Sequence, residues 1–155
     1  MVKLDEINRK ILSILQNNSS ITNSDLSKMV GLAPATTLER VKKLEFSGVI
    51  KGYVALVDQK KVGKSITAFV EITMKNHSAI AIKNFSKDIA AFPEVLECHH
   101  IAGDKDFLLK VVTEDIDSYR SFALDKLASI PEIGNVCTFF TLDTIKITTG
   151  IPVDE

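Results

Sequence analysis

The spacing of apolar residues changes character once along this chain, and that change restricts the fold to two dissimilar parts. Leu4, Ile7, Ile11, Ile14 and Leu15 repeat at helical intervals, so a helix is predicted to run to about Gln16, where Asn17-Asn18-Ser19-Ser20 breaks it. Thr22-Asn23-Ser24-Asp25 has the form of a capping box and starts a short second helix through Leu26, Met29 and Val30, which Gly31 stops. Pro34 suits the first position of a third helix, predicted to run to about Ser47 with Gly48 as its stop. Three short helices with a tight glycine turn between the last two make a helix-turn-helix candidate.

Beyond Ser65 the period falls to two. Ile66, Ala68, Val70, Ile72 and Met74 alternate with Ser65, Thr67, Phe69, Glu71 and Thr73, the pattern of a half-buried strand. A helix capped by Ser78 follows, then strands Val95 to Ile101 and Phe107 to Thr113, a helix opened by Asp115 or Asp117, and a last strand from Val136 to about Ile147. The order βαββαβ defines an α+β, ferredoxin-like domain. Its sheet carries helices on one face only, and Phe69, Phe139 or Phe140 on the bare face predicts pairing with another copy. Gly52 to Val57 reads as a strand and Asp58 to Lys64 as a solvated connector. The predicted division is therefore residues 1–52 for the helix-turn-helix, 53–64 for strand and linker, and 65–155 for the second domain.

Charge follows the same division. The net charge of −1 conceals 11 Lys+Arg against 6 Asp+Glu up to Lys64, and 8 against 14 after it, so +5 and −6 lie end to end. Such asymmetry points to different partners for the two parts. No apolar run approaches the ~18 residues of a membrane helix, and Lys3, Asp5 and Glu6 stand where a leader would be apolar, so a soluble, cytoplasmic chain is expected. Cys98 and Cys137 are too few for a disulfide framework. Cys98, His99 and His100 alternate across a strand and lack metal-site spacing, so no metal is expected; no phosphate loop or nucleophile signature suggests catalysis, and no cofactor is implied.

On the third helix, Thr36, Glu39, Arg40 and Lys43 fall on one side, with Lys42 at the border and Ala35 near the start. Hydroxyls and long cations on an outer helix face suit base-edge and phosphate contacts in the major groove of double-stranded DNA. Thr36, Thr37, Arg40 and Lys43 are the expected contacts, with Lys42, Lys28 and Lys51 at phosphates. Lys60, Lys61 and Lys64 either touch flanking DNA or simply face solvent. In the second part, Gly103 permits a turn that exposes backbone N–H groups, and Asp104 or Asp106 offers a carboxylate to an ammonium; the same residues also make an ordinary hairpin turn.

Leu4-Asp5, Ile7, Ile11-Leu12, Leu26-Ser27, Val30-Gly31-Leu32, Leu38-Glu39-Arg40-Val41, Leu44-Glu45, Gly48 and Ile50-Lys51-Gly52-Tyr53 resemble the leucine-responsive/asparagine-regulator (Lrp/AsnC) family of prokaryotic transcription factors. Phe69-Val70-Glu71-Ile72, Glu97-Cys98-His99, Gly103-Asp104-Lys105-Asp106, Leu108-Leu109-Lys110 and Tyr119-Arg120 extend the resemblance. Ala33 stands where the family often has Ser. The resemblance implies a winged helix-turn-helix and a regulatory (RAM, ACT-like) domain that dimerises through its sheets, with dimers assembling to an octamer. It also implies a nucleoid-associated regulator whose amino-acid effector sits where dimers meet, around the Gly-Asp turn and the last strand. The effector candidates are then His100, Gly103, Asp104, Asp106, Thr138, Thr141 and Asp143. Two alternatives share this architecture: a ligand-independent protein that wraps DNA, and a sirohaem decarboxylase, against which Thr36, Arg40, Lys42 and Lys43 argue.

Overall fold

A computed structural model describes residues 4–153; Met1 to Lys3, part of the reading against a leader, and Asp154 and Glu155 lie outside the described residues. The chain forms two compact units, one comprising Met1–Leu56 with Lys146–Glu155, the other Val57–Ile145.

The first unit contains helices α1 (Glu6–Asn17), α2 (Asn23–Val30) and α3 (Pro34–Phe46). Asp5 caps α1 by accepting the Asn8 N–H, and Thr22 caps α2 by accepting the Asp25 N–H. Gly31, at φ 72°, ends α2, with the Leu32 N–H returning to the Ser27 carbonyl. Ala33 offers α3 no side-chain cap, and Pro34 begins it. Ile11, Leu12, Leu26, Val30 and Leu44 form the core, closed by partly buried residues that include Ile7, Ile50 and Val153.

Val153 belongs to the tail, which the sequence division 65–155 grouped with the second domain. The structure returns this tail to the helical unit because Gln16 meets Ile151 twice: its Nε2 donates to the Ile151 carbonyl (3.0 Å) and its Oε1 accepts the Ile151 N–H (2.7 Å). Gly52 to Val57 does not form the expected strand. Val54, Leu56 and Val57 stay exposed with no partner strand among the described residues, and without a ladder an alternating segment has nothing to fix it as sheet.

The second unit begins with the connector. Asp58 accepts the N–H groups of Lys60 and Lys61, Gln59 bonds Thr67, and Lys64 reaches Glu114 at 2.9 Å, so this segment is docked rather than free. The sheet has strands β1 (Ile66–Met74), β2 (Val95–His100), β3 (Phe107–Thr113) and β4 (Ile133–Phe140), antiparallel throughout in the order β2-β3-β1-β4. Helix α4 (Ala79–Ala90) and helix α5 (Ile116–Ser121) cover one face, with Phe85, Ile89, Tyr119, Phe122 and Leu127 packed on Val70, Ile72, Leu109 and Val111. After Ser121 the chain winds one π-helical turn, Phe122–Lys126, and one 3₁₀ turn, Leu127–Ser129. The wide turn keeps both Phe122 and Leu127 in the core although they are five residues apart.

One expectation is corrected here and one alternative is decided. β4 stops at Phe140 rather than near Ile147, because the residues beyond it belong first to a loop and then to the helical unit. Phe140 faces the helices, opposite Ala68 and edge-on to Tyr119 at 4.9 Å; the bare face carries Phe69 opposite Phe139. At the other end of β4, a bulge between Thr73 and Met74 brings backbone close to Gly134, where a Cβ would sit 3.1 Å from the Thr73 carbonyl oxygen. Only glycine fits that approach without a backbone shift.

Candidate nucleic-acid interface and ligand surface

The capped α2, the Gly31 turn and the uncapped start of α3 place α3 as the outer helix of a helix-turn-helix. Asn23, the first residue of α2, fixes the join by donating from Nδ2 to the Pro34 carbonyl at 2.9 Å. The faces of α3 differ from the expected ones. Thr37 is 0% exposed and its hydroxyl donates to the Ala33 carbonyl at 3.1 Å, so it is core and its expected DNA contact is withdrawn. A hydroxyl can sit at an inward position because the preceding turn of the helix satisfies it. Ala35, Thr36, Leu38, Glu39, Lys42 and Lys43 are exposed, and Phe46 at the C-terminal end is 97% exposed.

Arg40 lies between these faces. Its Nη1 donates to Asp5 Oδ2 at 2.6 Å and to Asn8 Oδ1 at 3.0 Å, leaving the side chain 30% exposed. Asp5, Asn8, Thr36, Glu39, Arg40 and Lys43 line a groove of about 550 Å³ between the start of α1 and α3. The Arg40 hydrogen bond, then the Asn8 N–H, hold the Asp5 carboxyl below the usual carboxylate range. Sequence reading identified Arg40 but not its partners, since a pair 35 residues apart has no local signal. Lys28 pairs with Asp25 at 3.0 Å on the surface, and Lys42 and Lys51 are exposed.

In the second unit, the turn after β2 is anchored by Asp106. Its N–H donates to the Ile72 carbonyl, its carbonyl accepts the Ile101 N–H, its Oδ2 accepts the Met74 N–H at 2.7 Å, and its Oδ1 lies 2.9 Å from His77 Nε2. The Met74 N–H, ahead of His77, holds this carboxyl low against the opposing push of burial. Asp106 is therefore the pin of the turn, with both carboxylate oxygens engaged and the side chain 18% exposed, while Gly103 (φ 154°) and Asp104 remain open at the tip. His77 was not identified from the sequence, where it is one polar residue in a loop.

The remaining ligand candidates are dispersed. His100 stacks on Phe107 (4.6 Å, 19°) beside a groove of about 390 Å³ that also includes Ser86, Ile89 and Cys98. Thr138 lies on the helix-covered face, its hydroxyl bonded to the Tyr119 hydroxyl. Thr141 follows β4, its N–H donating to Thr67 and its buried Oγ1 without a hydrogen-bond partner; Asp143 is exposed and accepts the Thr144 N–H. The turn sits beside Ile72 and Met74, whereas Thr141 sits beside Thr67, five residues along β1 and about 17 Å away at strand rise. One protomer thus does not bring the turn and Thr141 into one pocket, and Thr138, opposite Val70, is turned to the helices. Among the described residues no group of three or more His, Cys, Asp or Glu is placed to hold a metal ion, and no helix is long and apolar enough to cross a membrane.

A helix-turn-helix unit joined to a four-stranded α+β unit is the architecture of a DNA-binding transcriptional regulator with a ligand-binding domain. Family models match both units: "Winged helix-turn-helix DNA-binding" over residues 4–51 and "Lrp/AsnC ligand binding domain" over residues 67–151. The chain belongs to the Lrp/AsnC family. It is 40% identical to the transcriptional regulator AzlB of Bacillus subtilis over 154 residues, 99% of this chain and 98% of that protein. It is 37% identical to the leucine-responsive regulatory protein of Escherichia coli K12, covering 92% and 87%. Among solved structures, a transcriptional regulator of Neisseria meningitidis in complex with L-Met superposes with a TM-score of 0.94 at 34% identity, covering 98% of each chain. An AsnC family regulator of Agrobacterium tumefaciens gives 0.92 at 42% identity, covering 97% of each. These relatives are transcriptional regulators, and this chain shares their DNA-binding and ligand-binding domains.

Proposed function

We propose that this regulator reads specific DNA sequences through α3 and responds to an amino acid bound where copies of the chain meet. Thr36 and Lys43 on the exposed edge of α3 face DNA together with Arg40, while Lys42, Lys28 and Lys51 neutralise phosphates. The uncapped start of α3 supports this assignment, because the first-turn N–H groups that Ala33 leaves unbonded favour an anion. Such a regulator works in the prokaryotic cytoplasm, on the nucleoid.

The observation that carries the effector reading is the anchored turn. Asp106 holds Gly103 and Asp104 at an exposed tip, where backbone N–H groups suit a carboxylate and Asp104 suits an ammonium. The Neisseria regulator solved with L-Met supports the same ligand class. Because Thr141 stands about 17 Å from the turn along β1 and Thr138 is turned to the helix-covered face against Tyr119, a site using the turn and the last strand together needs residues of a second copy, and dimers assembling further, to an octamer, supply it. Effector binding then shifts the balance among assemblies that space the DNA-binding heads differently.

A thermal-shift screen of the common amino acids tests this. An effector at 100 times its Kd stabilises by about 2.7 kcal/mol. If none responds, the protein is a ligand-independent DNA-wrapping factor; a new absorption band with added sirohaem moves it to the decarboxylase reading.

A further inference from the structure

Asp5 links two functions in one side chain. Its Oδ1 caps α1 through the Asn8 N–H at 2.7 Å, and its Oδ2 takes the Arg40 guanidinium at 2.6 Å, with Asn8 Oδ1 as a second acceptor at 3.0 Å. Thr36 and Lys43 line the same groove. The carboxylate thus occupies a cation at the edge of the proposed DNA surface, and it does so from a helix cap that is fixed by the fold. A phosphate reaching Arg40 Nη1 must displace it or share it.

We infer that Asp5 is a restraining residue for DNA binding: it stands in for a backbone phosphate on Arg40 and keeps one cation of each head withheld from DNA. The inference rests on the placement of the α3 edge at DNA. Its consequence is that a single head binds weakly, so firm binding requires several heads on one assembly, where the second contact is intramolecular. An exposed ion pair of this kind is weak enough for phosphate to compete with it, yet strong enough to matter when summed over heads.

The test is Asp5→Asn in the full chain, titrated onto DNA of random sequence over a range of salt. Asn caps a helix as well as Asp, so the fold is retained while the charge is removed. The expected result is affinity raised about two- to fivefold per engaged head, with the slope of log affinity against log salt steeper by about 0.9 per head. In an Arg40→Ala background the gain should vanish. No gain, or a gain that persists without Arg40, overturns the inference; the second case identifies plain repulsion between Asp5 and phosphate. Asn8→Ala, which removes the second acceptor and leaves the cap N–H in place, should move affinity the same way and serves if Asp5→Asn does not fold. Lys43→Ala reads the interface separately. If it weakens binding while Asp5→Asn and Asn8→Ala change nothing, the restraint is gone and the interface stands; if none of the three variants changes binding, both are gone.

Discussion

Thr37 shows what a residue's neighbours decide that its type does not. A threonine on a basic helix is an obvious DNA ligand, yet this one points into the core and bonds its own preceding turn. Thr37→Val is therefore expected to leave DNA affinity unchanged and to shift stability by about 1 kcal/mol or less, whereas Lys43→Ala weakens DNA binding. A DNA titration and a denaturant melt of each variant check this. The tyrosines offer a second residue-scale outcome. Burial, then the hydrogen bond to Glu45, pushes the Tyr53 phenol up to about 12, and burial also raises Tyr119. These are the chain's two tyrosines, so absorbance titration of the folded protein should place both tyrosinate steps above the ordinary tyrosine value, that of Tyr53 at about 12. Because the folded pKa is the higher one, the stability Tyr53 contributes is complete below about pH 10 and disappears as pH rises towards about 12. At the acid end the sign reverses. Asp5 is held low by Arg40 and Asn8, and Asp25 by Lys28 and Thr22, so both support the helical unit above about pH 4 and stop doing so as pH falls through their folded values.

At the scale of elements, whatever periodicity and capping encode was legible. Thr22 and Ser78 were expected as helix openers and each accepts the N–H it should, and of the two candidates Asp115 and Asp117 it is Asp115 that caps. The strand Phe107–Thr113 has the bounds expected of it. What was illegible depends on partners and on edges. Gly52 to Val57 has strand composition and no strand, since pairing is a property of two segments and no second one pairs with it among the described residues. The choice between Phe139 and Phe140 for the bare face stayed open because a last strand of unknown length gives no parity until its register is known, and the pairing of Ala68 with Phe140 sets it. The ligand residues are the least legible, because Asp106 and Thr138 are polar for structural reasons that only contacts reveal. The β1–β4 bulge yields an element-scale prediction. Gly134→Ala forces a Cβ against the backbone of Thr73 and Met74, neither of which can rotate away, and should cost about 1–3 kcal/mol, read by chemical denaturation. Loss of the bulge would also turn the last-strand residues relative to the sheet.

For the whole molecule, the division of charge is smaller than the sequence suggests. With the connector counted in the second unit and the tail returned to the first, the units carry 9 Lys+Arg against 7 Asp+Glu and 10 against 13, or +2 and −3 in place of +5 and −6. A head of +2 with Arg40 already paired is a weak ligand for DNA by itself, and binding must be recovered by joining heads. The bare sheet face provides the means. Phe69 and Phe139, 38% and 52% exposed, lie opposite each other on it, flanked by Lys110 and Glu97 paired at 2.9 Å, a centre of aromatic surface with a charged border. Phe69→Glu places a carboxylate opposite Lys110 within the same sheet, which the isolated chain tolerates, but presents like charges to each other across a two-fold interface. Sedimentation should show the assembly falling to a smaller species with the fold retained. DNA affinity should fall with it, and a dimeric contact reduced to one head should lose about half of its salt slope, because half of the phosphate contacts are gone. If Phe69→Glu leaves the assembly intact, the bare face is not where copies meet, and the joining of heads must be sought at the exposed apolar residues Val54, Leu56 and Val57 instead.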